Sequence, residues 1–309
     1  MKTIYLHVGY HKTATTFFQH SVFPNLENVR YIKKPKLRDD FRKVKLRKLS
    51  DAQIKEIRNR ILHRKRGKKP LLISYEELSG NPFIRKKTKS QTDILKDLRR
   101  IFPASKFDVR IIVGLRDQVT LLTSLYVQYI QQGGVFTPHE FIEHFKEHDL
   151  IKNYNFNRYL RNIEDIFGDN YYVMVYETFK KNSEEEMLRL LHYMGEPEIP
   201  DYEEDDRWVN KSLGKLQVPV VRKLNHFFKS PKNPNGKFPI VKTKNFGKLT
   251  PTSFLQNKYS YAVHYKRFEL PEDIQTFIQS TYAGENKKLA DRLDLDLPDR
   301  YFREAHTKS

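Results

Sequence analysis

The 309-residue sequence predicts an α/β fold: a single domain, residues 1–309, with a central parallel β-sheet flanked by helices. Three observations carry that prediction. Short apolar runs rich in β-branched and aromatic residues recur along the chain. Segments with apolar residues at helical spacing separate them, and the first run leads through a short loop directly into such a segment. Strands that alternate with helices call for a parallel sheet covered on both faces. Ligands of such sheets bind beyond the carboxyl ends of the strands, so the loops there are where chemistry is expected.

KTIYLHV (2–8) is the first strand, residues 9–13 are its loop, and ATTFFQHSVF (14–23) is a helix with Phe17, Phe18 and Val22 on adjoining faces. SDAQIKEIRNRILHR (50–64) reads as a capped helix whose Ile54, Ile57, Ile61 and Leu62 recur at helical spacing. PLLISY (70–75) is the second strand, TDILKDLRRIF (92–102) a helix, and DVRIIVGL (108–115) the third strand. QVTLLTSLYVQYIQQ (118–132) is a helix stopped by Gly133-Gly134, and further helices cover about 138–147 and 156–167. YYVMVY (171–176) is the fourth strand, followed by a helix over 184–194 that ends at Gly195, and a last long helix over about 271–293. Residues of about 30–69 form a basic helical insertion and those of about 211–267 a basic, loop-rich segment. Its stretch 229–258, rich in Pro, Gly, Asn and Lys, reads as a surface excursion.

Composition removes several function classes. The chain has no cysteine, which excludes disulfides, thiolate metal sites and a cysteine nucleophile. No run approaches the ~18 apolar residues of a membrane span. Strand-type residues begin straight after Met1 in place of a signal peptide, so a soluble, cytoplasmic protein is expected. The net charge of +19 is unevenly placed. Residues 30–69 hold 18 Lys/Arg against four acids, and residues 211–267 hold 13 against none, whereas 184–206 hold ten acids. Such basic surfaces attract an anionic donor or polymer, or serve only as solvated faces.

Three strand ends deliver polar groups. The first is GYHKTATT (9–16), placed between a strand and a helix, where backbone amides and the helix dipole can hold an anion. Laid on the triphosphate-loop pattern G-x-x-x-x-G-K-[ST], Gly9 and Thr16 fit, but Ala14 replaces the second glycine and Thr15 the lysine. Lys12 supplies a point charge instead, and Thr15 and Thr16 supply hydroxyls. An apolar strand ending in a Mg²⁺-binding aspartate is not found; IIVGLRD puts Arg116 before Asp117. The second strand end places Glu76 and Glu77 after LLISY, where a carboxylate can act as general base or merely cap the next element. The third places Arg116 at a strand exit and Ser124 eight residues on, able to grip one phosphate or to serve as an ordinary cap and helix-surface serine.

Together these features resemble the sulfotransferases that use 3′-phosphoadenosine 5′-phosphosulfate (PAPS). YHKTATT matches their first loop, [YP]-x-K-[TS]-[GA]-T-T, and Arg116 with Ser124 matches their arginine and serine eight residues apart. Ser74-Tyr75-Glu76 matches the S-x-E of many bacterial and carbohydrate-type members. VYETF (175–179), LLHYMG (190–195), RWVNKSLG (207–214) and YAGENKKLADRLDLDLPDRYF (282–302) are weaker echoes, so the likeness spans nearly the whole chain. It departs from the pattern at Ala14, where glycine is commoner, and at His11, where many eukaryotic members have proline.

The resemblance implies a P-loop-like sulfotransferase fold. It implies a 5′-phosphosulfate held by Lys12, Thr13, Ala14, Thr15 and Thr16, and a 3′-phosphate held by Arg116 and Ser124. The implied reaction is in-line sulfuryl transfer from PAPS to a hydroxyl or amine, leaving adenosine 3′,5′-bisphosphate and needing no metal. Glu76 would take the acceptor proton, a task that favours a carboxylate with a raised pKa, and Lys12 would stabilise charge on the leaving phosphate. His11 ranks after Glu76 as base. Glu77 ranks third because a continuing strand would point it elsewhere, and His7, on one face of the first strand with Tyr5, is read as structural. A carbohydrate acceptor is expected, with Trp208, Tyr259, Tyr261 and Tyr265 offering faces for sugar rings. A small-molecule kinase and a basic nucleic-acid-binding protein are the alternatives. The first would need a lysine at position 15, and the second has no recognisable nucleic-acid module to support it.

Overall fold

Lys2–His7 form β1, and its Ile4, Tyr5 and Leu6 are all buried, as an apolar run covered on both faces requires. The computed structural model describes residues 1–64, 67–80, 83, 89–202, 212–239, 241–243, 247–249 and 266–303, with the backbone alone at Arg64 and within 241–249. The chain groups into two compact units. The first comprises Met1–Asp117, Lys152–Val209 and Glu285–Asp299, and the second Gln118–Ile151, Asn210–Gly284 and Arg300–Ser309.

The first unit is built on a five-stranded sheet in the order β2-β3-β1-β4-β5, made of β1, β2 (Arg30–Ile32), β3 (Leu71–Ser74), β4 (Phe107–Leu115) and β5 (Tyr171–Val175). Every pair is parallel: Ile4 is in register with Leu71 on one side and Val109 on the other. The chain therefore leaves β1 towards β3 on one side and returns to β4 on the other, which makes the carboxyl end of β1 the switch point of the sheet. The parallel sheet flanked by helices is the predicted fold class. Strand β2 is an addition, because three residues inside a lysine- and arginine-rich run carry no legible period.

Helices cover both faces. On one, Tyr5, Leu72, Ile112 and Met174 pack with Phe18, Val22 and Phe23 and with Met187, Leu190, Leu191 and Met194 from the end of α9 (Ser183–Tyr193) and just beyond. On the other, α4 (Gln91–Ile101) packs on α7 (Phe156–Phe167), which lies against β4. The helix expected over 14–23 begins as α1 (Thr15–Phe17), widens into a π turn over Phe18–Val22 and tightens into a 3₁₀ turn over Phe23–Asn25. Pro24, with no N–H to donate, helps to end it. After β2 come α2 (Arg38–Leu46) and α3 (Asp51–Arg64), the helical part of the basic insertion; α8 (Tyr176–Lys181) follows β5 without a break.

The second unit holds α5 (Gln118–Gln131), α6 (Pro138–Glu147), α10 (Gln217–Asn225) and the start of α11 (Glu272–Leu293). Thr137 caps α6 reciprocally with Glu140, and buried Asn225 ties α10 to the carbonyls of Ile130 and Gly134, 2.8 Å each. The segment expected as a surface excursion contains an antiparallel pair, β6 (Val241–Thr243) and β7 (Gly247–Leu249). Among the described residues no helix is long and apolar enough to cross a membrane.

Candidate functional site

Pairing between β1 and β4 continues past His7. The N–H groups of Val8 and Tyr10 donate to the carbonyls of Ile112 (3.0 Å) and Gly114 (3.1 Å), so the chain stays against β4 as far as Tyr10. It then turns abruptly. Lys12 (φ 67°) and Ala14 (φ 59°) are left-handed, and Thr13 between them is not. That conformation costs L-residues about 1–2 kcal/mol each, and an alternating sign of φ turns successive N–H groups towards one side as an anion nest. Among the described residues, none accepts a hydrogen bond from the N–H groups of Lys12 to Thr16.

Thr13 fixes the turn. It is fully buried, its hydroxyl donates to the carbonyl of Tyr10 (2.7 Å), and its side chain lies where a Cβ on Gly114 would have to be. Thr13 therefore offers an incoming anion its N–H and not its hydroxyl. The hydroxyls of Thr15, buried, and Thr16, half-buried, meet no partner among the described residues. From the exit of β4, Arg116 Nη1 donates to the carbonyl of Lys12 (3.0 Å), with the guanidinium 4.6 Å above the Tyr176 ring. Burial and the neighbouring Arg116 lower the pKa of Lys12, and Glu76 offsets them only in part. No carboxylate among the described residues lies within ion-pair distance of Lys12. Lys12 and Arg116 thus bring two positive charges to a loop whose left-handed residues turn successive amides to one side, an arrangement that favours an anion.

The third wall is the 3₁₀ turn Glu76–Ser79 after β3. Glu76 accepts from Lys34 Nζ (2.5 Å) and from Gln19 Nε2 (3.1 Å), and Gln19 also donates to Ser74 Oγ (2.9 Å). His7 Nδ1 bonds the same Ser74 hydroxyl at 2.8 Å, so a buried line runs from His7 through Ser74 and Gln19 to Glu76. Burial pushes the Glu76 carboxyl up, but Lys34 and His11 outweigh it and bring it down to about 2. The raised value expected of a base is thus not found at Glu76. The strand ends before Glu77, and the turn directs Glu77 to Lys45 and towards Lys34, 3.7 Å away. Burial raises the Glu77 carboxyl and Lys45 more than cancels the effect.

The two loop histidines differ in kind. Burial drives His7 down to about 4, which keeps it neutral beside Ser74. His11 is half-buried, and its Nε2 lies 3.2 Å from the carbonyl of Gly80. A carbonyl only accepts, so Nε2 carries the proton and Nδ1 keeps its lone pair. Burial lowers the His11 pKa as well, against the pull of the neighbouring Glu76.

No protein-family model matches the sequence, and no curated protein is similar to it. Solved structures are similar to this one. A sulfotransferase from Alicyclobacillus acidocaldarius is 13% identical, with a TM-score of 0.48 over 73% of this chain and 93% of its own. A sulfotransferase domain from the curacin biosynthetic pathway is 14% identical, with a TM-score of 0.37 over 96% and 98%. The sulfotransferase domain of a Synechococcus olefin synthase is 13% identical, with a TM-score of 0.31 over 74% and 88%.

Lys12, Thr13, Ala14, Thr15, Thr16, His11, Glu76 and Arg116 thus meet at one end of the sheet. Ser124 lies in α5 of the second unit, half-buried, and Trp208, Tyr259, Tyr261 and Tyr265 lie outside the described residues. Sequence reasoning missed Gln19, Lys34 and Tyr176. Gln19 had a signal, since it falls one turn beyond Thr15 and Thr16 on the same helical run. Lys34 was hidden among 18 basic residues, any of which could have faced solvent.

Proposed function

We propose that the chain is a sulfotransferase that moves the sulfuryl group of PAPS to a hydroxyl or amine, with a carbohydrate as acceptor. The observation that carries this reading is the loop after β1, where left-handed Lys12 and Ala14 turn successive amides to one side and Arg116 hydrogen-bonds the carbonyl of Lys12. A loop with its lysine at position 12 suits the single phosphosulfate of PAPS better than a triphosphate tail. In this reading Lys12 and the amides of Thr13 to Thr16 hold the 5′-phosphosulfate, and Arg116 with Ser124 holds the 3′-phosphate. The acceptor oxygen attacks sulfur in line, the bond from sulfur to the phosphate oxygen breaks, and adenosine 3′,5′-bisphosphate leaves with its new charge facing Lys12.

The acceptor proton passes to the pair formed by Glu76 and His11. Glu76 lies beside the loop and is ionised, whereas His11 presents the free lone pair of Nδ1; the tautomer fixed by Gly80 favours this second route. The basic segments 30–69 and 211–267 suit an anionic glycan. The test is thermal unfolding with adenosine 3′,5′-bisphosphate, with ATP–Mg²⁺ and with an oligonucleotide, followed by sulfuryl transfer from PAPS to a glycan panel. Stabilisation by the bisphosphate alone is expected. Stabilisation by ATP–Mg²⁺ alone would turn the reading to a kinase.

A further inference from the structure

The second unit contains a cluster that sulfuryl transfer does not use. His144, Glu147 and His148 stand at positions i, i+3 and i+4 on the last turn of α6 and its C-cap, a spacing that puts three side chains on one helical face. One ligand atom from each lies within 4.8 Å of the other two. The two imidazole rings lie with centroids 4.1 Å apart, tilted to each other by 41°. His148 Nδ1 lies 3.0 Å from the carbonyl of His144, so Nδ1 carries the proton and the lone pair sits on Nε2. That is the arrangement by which metal-binding histidines are oriented: one nitrogen anchored to backbone, the other presented outward.

The surroundings leave the cluster available. Glu147 is exposed and makes no ion pair with a described residue. Lys146, its nearest cation in sequence, is held by Glu143 at 2.7 Å and lies 4.2 Å from the Phe277 ring. The ammonium of Lys232, the other cation near His144, rests over the Tyr129 ring at 5.8 Å. The helix closes on Asp149 (φ 56°), with Leu150 N–H bonded to the carbonyl of Phe145 (2.8 Å), so the ligand-bearing turn is pinned by its backbone. The negative end of the helix dipole points at the same place, which favours a cation.

We propose that His144, Glu147 and His148 bind a divalent transition metal ion of the zinc class. Two imidazole nitrogens and a carboxylate oxygen suit zinc at about 2.0–2.2 Å per ligand, and exposed side chains reach those distances by small rotations. Three ligands from one turn leave the remaining positions to water or to a group from another molecule. The test uses the full, untagged chain, stripped with a chelator and titrated with Zn²⁺ by calorimetry and with Co²⁺ by visible absorption. One ion per chain is expected. His144→Gln or His148→Gln should weaken binding by about 10- to 100-fold. The double variant should abolish both the calorimetric signal and the cobalt bands, while Lys146→Gln keeps them. Circular dichroism checks that each variant is folded. Zinc binding that survives in the folded double variant, or no binding by the unaltered chain, overturns the proposal.

Discussion

Replacing Glu76 by glutamine should reduce stability at neutral pH and leave it unchanged in strong acid. The Glu76 side chain is 17% exposed, with Lys34 Nζ 2.5 Å from its carboxylate. Burial alone would raise its pKa, but Lys34 and His11 bring it from the ordinary 4.5 to about 2. A folded-state pKa below the unfolded one stabilises the fold above pH 4.5, and that stabilisation disappears as the pH falls through about 2. At about 1.4 kcal/mol per pH unit, the interval corresponds to about 3 kcal/mol at pH 7. Glutamine keeps the shape but leaves the half-buried Lys34 ammonium with only its longer ion pair to Glu77, at 3.7 Å. Urea unfolding of both chains, followed by circular dichroism at about pH 7, 5 and 3, reads the difference. A deficit that stays constant over that range would refute the reasoning, since a purely steric loss has no pH dependence. Lys34→Met gives the complementary result. With the largest lowering influence removed and burial still acting, the Glu76 carboxyl should titrate higher than in the unaltered chain, observable in the side-chain carboxyl carbon resonance.

Two further variants probe the loop itself. In Gly114→Ala the new Cβ falls 2.5 Å from Thr13 Oγ1 and 2.7 Å from Thr13 Cβ, so Thr13 must move and take the nest with it. Bisphosphate affinity by calorimetry should fall about tenfold or more, with a loss of about 1–3 kcal/mol in stability. Ala14→Val puts a β-branched residue at φ 59° and should destabilise the chain by about 1–2 kcal/mol, whereas Ala14→Gly should stay within about 1 kcal/mol in urea midpoints.

The sheet was legible because its central strands are buried on both faces. LLIS of β3 and IIVGL of β4 are continuous apolar runs, and such runs need no period to be recognised. Strand β2 was not, because Arg30-Tyr31-Ile32 gains its strand character from pairing with Leu71–Ile73 and not from its own composition. The loop was legible for a different reason. A strand, a glycine, a lysine and threonines before a helix constrain backbone geometry locally. What no local pattern could yield is the line from His7 through Ser74 and Gln19 to Glu76, whose successive members are 55 or more residues apart. The same holds for the charge of Glu76, which depends on Lys34, 42 residues away.

That charge bears on which group removes the acceptor proton. A carboxylate near 2 is always ionised at neutral pH but holds a proton weakly, so Glu76 is a poor match to a base whose pKa should lie near the working pH. The resting value is not the working value. In the proposed complex the phosphosulfate brings negative charge to Lys12, whose field already reaches Glu76, and a nearby anion raises the pKa of a carboxylate and an imidazole alike. Burial lowers the His11 pKa, Glu76 is the leading influence that favours its protonated form, and Nδ1 keeps its lone pair. In the proposed reaction the two groups would act as one coupled acid–base unit in which His11 receives the proton and Glu76 stabilises the imidazolium. A direct base role for Glu76 would require Lys34 to leave it first, and the hydrogen bond from Gln19 would hold the freed carboxylate in place for that step.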